Sequence, residues 1–195
     1  TTMQHFIHSI KNSMISRLHT LTTSLAHSTR SEHIILWPFL LTAALGTWNH
    51  FFYSFSGNSA FTALFCPVNE SVWEHLKLLF FPFLFVSALE YTCYRRSPLR
   101  FFYSRYIGVV SGMIFTVAFF YTYSGIIGRN FLLIDILLFF SSVLIAFVSA
   151  NHFYLQNRSM RASDRTYIIT LWAVTALFFF VFTCFPPDIP LFYSP

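Results

Sequence analysis

Charge is what this sequence most lacks. Of 195 residues, 12 are Lys or Arg and 7 are Asp or Glu, together 10% of the chain, where a soluble globular protein carries roughly 25%. With 55% hydrophobic residues beside them, so few charges exclude a water-soluble fold, and no nucleic-acid partner is expected. Cysteine is almost as sparse: three residues without a spacing pattern. There is no glycine-rich phosphate loop, no Cys-x-x-Cys and no internal repeat. Phenylalanine is abundant instead, 27 residues, which suits a surface that faces lipid.

A helix needs about 20 apolar residues to cross about 30 Å of hydrocarbon, where no water can satisfy backbone groups. Five stretches qualify, from about Ile34 to Phe55, Val72 to Tyr94, Phe101 to Ile127, Phe131 to Gln156 and Tyr167 to Phe185. The sequence therefore predicts an all-α integral membrane protein, a five-helix transmembrane bundle over 34–195. Basic residues set its orientation, because Lys and Arg are retained on the cytoplasmic side. Lys11, Arg17, Arg30, Arg95, Arg96, Arg100, Arg105, Arg158, Arg161 and Arg165 fall on one side, and only Arg129 on the other. This bias predicts a multi-pass protein with a cytoplasmic N-terminus and an extracellular C-terminus. Cys66 and Cys184 then lie outside and Cys93 inside, so one disulfide at most can form, and free thiols are expected.

Residues 1–33 interleave apolar residues with Lys, Arg, His and Ser. Met3, Ile7, Ile10, Met14, Leu18, Leu21 and Leu25 recur at steps of three and four, the period of one helix face. The expectation is an amphipathic helix on the cytoplasmic membrane surface.

In a bilayer the informative residues are those whose insertion is costly, about 2.5–3.5 kcal/mol for a charge at a helix centre. The predicted topology brings several to one outer depth: Asn49 and His50 at the end of span one, Glu70, Ser71, Glu74, His75 and Lys77 at the start of span two, Asp135 near the start of span four, and Asp188 after span five. On that second helix Glu70, Glu74 and Lys77 fall on one stripe and Ser71 and His75 on the next. Such faces must meet other helices or a water-filled cavity. Toward the inner end, Glu90 is expected to pair with His152 or Arg95. The Pro-rich tail from Pro186 to Phe192 cannot continue a helix; it either folds back over the outer mouth, with Asp188 as a lid, or lies in the lipid interface.

The stretch Pro67-Val68-Asn69-Glu70-Ser71-Val72-Trp73-Glu74-His75-Leu76-Lys77-Leu78 resembles the signature of a family of small multi-span membrane proteins from Firmicutes known only as a domain of unknown function. Asn49-His50-Phe51-Phe52-Tyr53 and the tail Phe185–Phe192 resemble other parts of that family. The resemblance implies a bacterial plasma membrane and no particular reaction. Ser71 and His75, four residues apart, are also similar to an arrangement in intramembrane zinc hydrolases related to alkaline ceramidases, where Ser and His on one helix join two more His and an Asp around a metal. This chain has five predicted spans rather than seven and lacks the closing His-x-x-x-His.

Three readings of the polar cluster stay open. It is an ion-pair network that holds the spans in register; or a site for chemistry on a lipid or other amphiphile; or a binding and transport site for a small solute or ion, or part of a subunit in a larger membrane complex. In the enzymatic version, a hydrolase or lipid-modifying enzyme, His50 and His75 with Glu74 ligate a metal, zinc by ligand type, or act as bases. There Glu70 and Glu74 serve as acid or base, Ser71 joins the catalytic set, Lys77 stabilises negative charge, and Asp188 closes the site.

Overall fold

The computed structural model describes residues 36–94, 97–156 and 159–194. The predicted amphipathic segment at 1–33 lies outside them. Helix α1 covers residues 36–55, followed by a single turn, α2, Ala60–Ala63. The long helices are α3, Val72–Tyr94; α4, Pro98–Ile127; α5, Leu132–Leu155; and α6, Asp164–Cys184. A 3-10 turn, Pro190–Phe192, ends the chain. No strand occurs among the described residues.

Four of these helices, α3 to α6, are long and apolar enough to cross a membrane, and the protein is accordingly a multi-pass membrane protein. Helix α1 forms where a span was expected, but Trp48, Asn49, His50 and Tyr53 dilute its C-terminal half, and it is not among the four.

The helices are not equivalent. The apolar window of α3 is 56% buried, against 17–28% in α4, α5 and α6, so α3 is the central helix and the others offer most of their surface to lipid. That position explains why α3 carries Glu74, Lys77, Ser87 and Glu90, all buried. Only a helix surrounded by protein can have its polar groups satisfied by neighbours rather than stranded in hydrocarbon.

Close helix contacts rest on small residues, as expected where no hydrophobic drive brings helices together in lipid. Gly108 and Gly112 of α4 face α5 so closely that a Cβ on Gly108 would lie 2.4 Å from the Ala146 carbonyl oxygen, and one on Gly112 2.7 Å from that of Ser142. The Thr116 hydroxyl donates to Ser142 Oγ at 2.8 Å on the same seam. Helix α1 meets α3 at Gly46, where a Cβ would lie 2.6 Å from the Leu78 carbonyl oxygen. Pro82 sits inside α3, and having no N–H it leaves the carbonyl of Leu78, four residues back, without its helical donor. Gly46 lets α1 approach at that gap.

At one end of the bundle Arg105 of α4 and Glu90 of α3 form a buried ion pair, with the guanidinium also over the rings of Phe147 at 4.9 Å and Phe101 at 5.0 Å. Of the two partners expected for Glu90, Arg95 lies outside the described residues, and His152 is bonded elsewhere. His152 is exposed and bonds Gln156 at 3.0 Å, whereas Arg105 lies seven residues inside α4, roughly 10 Å from its start, facing α3.

Candidate functional site

At the opposite end of the bundle, α1, α3, α4 and α5 enclose a cavity of about 730 Å³. Its walls are mostly apolar, including Leu78, Leu79, Phe120, Leu138 and Phe139, and its polar groups are few: Thr47, His50, Glu70, His75, Thr116, Asn130 and Asp135.

Three of those groups converge. One ligand atom each from His50, Glu70 and His75 lies within 4.8 Å of the others. The imidazole centroids of His50 and His75 are 5.4 Å apart, and His75 Nε2 is 3.3 Å from Glu70 Oε2. Helix α1 delivers His50, the first turn of α3 delivers His75, and the segment ahead of α3 delivers Glu70. His75 Nδ1 lies 2.9 Å from the Ser71 carbonyl oxygen, which can only accept, so Nδ1 carries the proton. In the neutral ring, Nε2 then presents a lone pair toward a carboxylate oxygen. Two acceptors at that distance repel unless a proton or cation lies between them. A backbone carbonyl holding one ring nitrogen so that the other can ligate is the usual support of a metal-binding histidine. Nδ1 of His50 is buried and has no hydrogen-bond partner among the described residues.

Tetrahedral zinc holds nitrogen and oxygen ligands at about 2.0–2.2 Å, which sets ligand atoms roughly 3.4 Å apart. The three donors stand within 4.8 Å of one another, and His75 Nε2 and Glu70 Oε2 are already 3.3 Å apart. Across the cavity, Tyr123 of α4 donates its hydroxyl hydrogen bond to Asp135 Oδ1 of α5.

The other residues singled out from the sequence are placed elsewhere. Glu74, expected as the carboxylate ligand, is buried away from the cavity: its Oε2 accepts from Lys77 Nζ at 2.7 Å and from the Val68 N–H at 3.0 Å. Glu70 supplies the carboxylate at the cavity instead, because α3 begins at Val72 and Glu70 does not share the helical stripe that would have set it beside Glu74. Lys77 is fully buried and is bound by protein oxygens, donating to Glu74, to Thr183 Oγ1 of α6 and to the Ala63 carbonyl at 2.9 Å. It faces α6 and the 56–71 linker, not a substrate space. The Ser71 hydroxyl accepts from the Glu74 N–H at 3.3 Å, the work of a helix N-cap, and Ser71 is itself buried.

The tail does fold back. Phe192 is buried against Trp73 and Phe182, with ring centroids 5.1 Å and 5.6 Å away, and Leu191 packs on Val72, Phe120, Tyr123 and Leu138, behind one wall of the cavity. Asp188 is exposed and bonded to the Tyr193 hydroxyl, so the lid over this end is apolar and Asp188 is not part of it.

The described cysteines are free. The Cys66 thiol donates to Asn49 Oδ1 at 2.7 Å, and Asn49 Nδ2 donates to the Phe65 carbonyl at 3.0 Å, pinning the linker to α1 beside His50. Burial pushes the Cys66 thiol above its ordinary pKa, against the opposing pull of the Lys77 charge.

The model of a family of unknown function, DUF6512, matches residues 23–194. No curated protein and no solved structure matches the chain. With nearly the whole length covered, the chain belongs to the DUF6512 family.

Proposed function

We propose that this chain is a five-span plasma-membrane protein whose outward-facing cavity holds one divalent transition metal, zinc by ligand type, between His50, Glu70 and His75. In this reading the metal serves hydrolysis of an amphiphile whose apolar part lies in the cavity. The observation that carries it is the convergence of those three donors, from separate segments, on the wall of an apolar cavity. Two imidazoles and one carboxylate are a ligand set that suits zinc. An ion held by His50, Glu70 and His75 would supply a water activated near neutral pH. In the hydrolysis this would serve, the water oxygen adds to an acyl carbon, the ester or amide bond breaks, and one water proton passes to the leaving oxygen or nitrogen.

Transport is less favoured because the middles of α4 and α6 offer few polar groups. The hydroxyls of Ser111 and Thr175 are bonded to the carbonyls of Ile107 and Leu171 in their own helices, at 2.8 Å and 2.9 Å.

The test is hydrolysis of a fluorogenic long-chain acyl ester by the purified protein in non-ionic micelles. The expected result is activity that a chelator removes, zinc restores and His75→Ala lacks. Hydrolysis indifferent to chelation, or none with the site metal-loaded, contradicts the proposal.

A further inference from the structure

Among the described residues the cavity wall carries no fixed positive charge. Its charged lining residues are Glu70 and Asp135, and no described Lys or Arg is among them. The nearest candidates are engaged elsewhere: Lys77 is bound by Glu74 and Thr183, and the Arg129 guanidinium lies 4.6 Å over the ring of Phe131. We infer that the cavity selects an amphiphile with a neutral, hydrogen-bond-donating headgroup, a hydroxyl or an amide N–H, and that Asp135 is the group that receives it.

The inference rests on the metal-site reading and names the substrate class of that cavity. With a divalent ion on His50, Glu70 and His75, the two carboxylates balance the ion and the site is neutral. A phosphate headgroup would bring uncompensated negative charge into a largely apolar space, where a buried unpaired charge is strongly disfavoured. Without the ion the two carboxylates repel a phosphate still more. A neutral donor head adds no charge and has an acceptor waiting. Tyr123 donates to Oδ1 of Asp135, fixing the carboxylate and leaving Oδ2 for the head, and the Thr47 and Thr116 side chains also line the cavity. The Thr116 hydroxyl hydrogen is already engaged between the Gly112 carbonyl and Ser142 Oγ, so that oxygen too is left to accept.

The experiment measures retention of a radiolabelled 1-O-alkylglycerol by the purified full chain in non-ionic detergent, beside its 3-phosphate with the same alkyl chain. The ether bond cannot be hydrolysed as an acyl ester is, so binding is read without turnover. Metal content is measured on the same samples. The alkylglycerol is expected to bind at least about tenfold more tightly than its phosphate, and Asp135→Asn to weaken it about tenfold, the loss of a charge-assisted hydrogen bond, with metal content unchanged. Leu132→Lys, at the exposed cavity mouth, leaves Asp135 in place and is expected to raise retention of the phosphate several-fold. Equal or preferential retention of the phosphate by the wild type, an Asp135→Asn protein that retains alkylglycerol normally, or a Leu132→Lys protein that still excludes phosphate overturns the inference. Selectivity for the alkylglycerol in a protein that binds no metal overturns the metal reading and leaves the headgroup preference standing.

Discussion

Two polar clusters lie within one helical turn of each other at the same end of α3, and they are built in opposite ways. Glu74 and Lys77 form a closed set. Both are buried, and between them they engage Thr183 of α6, the Val68 N–H and the Ala63 carbonyl. Glu70, His75 and His50 form an open set on a cavity wall, where His75 Nε2 faces a carboxylate and His50 Nδ1 has no partner among the described residues. A network whose donors and acceptors are all matched holds helices together. Donor atoms that converge on a cavity wall, beside a buried imidazole nitrogen with no partner among the described residues, are open to a ligand. Residue type alone does not separate the two, since each contains a Glu and a basic side chain; the matching of donors to acceptors does.

That contrast can be broken by substitution, and the largest effect is expected in the closed set. Lys77→Met leaves the Glu74 carboxylate buried without its cation and should cost about 3–5 kcal/mol of stability, read as a lower unfolding temperature in detergent, while metal binding per folded molecule is retained. If Lys77→Met instead unfolds normally and loses metal, the two clusters are one site. Gly46→Val tests how the open set is held. A Cβ at residue 46 meets the Leu78 backbone oxygen at 2.6 Å, so α1 must shift, at about 1–3 kcal/mol. Because His50 rides on α1, metal affinity should fall about 10–100-fold, the size of effect seen when the support of a ligand is disturbed. Unchanged affinity would show that His50 is not a ligand.

His75→Ala should abolish metal binding yet cost less than about 1 kcal/mol of stability, since its ring is a third exposed, its Nδ1 bonds only the Ser71 carbonyl of its own turn, and its contact with the exposed Glu70 carboxylate is solvent-screened. The smallest effect is at the linker joining both clusters. With Cys93 and Cys184 replaced by Ser, Cys66 should react with a maleimide far more slowly than in the unfolded chain. Because its thiol pKa is raised, little thiolate forms at neutral pH and the rate should climb only in the alkaline range. Rapid labelling at neutral pH would mean that the linker is not packed on α1.

Much of the architecture was legible in the sequence for a simple reason. Apolar stretches of 20 or more residues have few alternatives, and the expected start and end of α3 at Val72 and Tyr94 match the helix found. Depth was legible as well: a rise of 1.5 Å per residue was enough to put His50 and His75 at the same level. Facing was not. The stripe that grouped Glu70 with Glu74 assumed helix from Glu70 onward, and two residues of non-helical chain before Val72 sent the carboxylates to different clusters. The Glu90–Arg105 pair was hidden because Arg105 was counted with the connection, although it lies well inside α4. Gly108-x-x-x-Gly112 was a readable sign of the α4–α5 contact, whereas the four-residue helix α2 is too short for any periodicity to reveal.

On this reading His50, Glu70 and His75 bind one metal ion together. Titration of the purified protein with Co²⁺, followed by visible absorption, tests it most directly, because a low-symmetry site of two imidazoles, a carboxylate and water gives cobalt bands that the hydrated ion does not. Saturation at one ion per chain, displacement by Zn²⁺, and loss of the bands in His50→Ala, Glu70→Gln and His75→Ala are expected. A titration without protein-bound cobalt, or bands unchanged in all three variants, would contradict it.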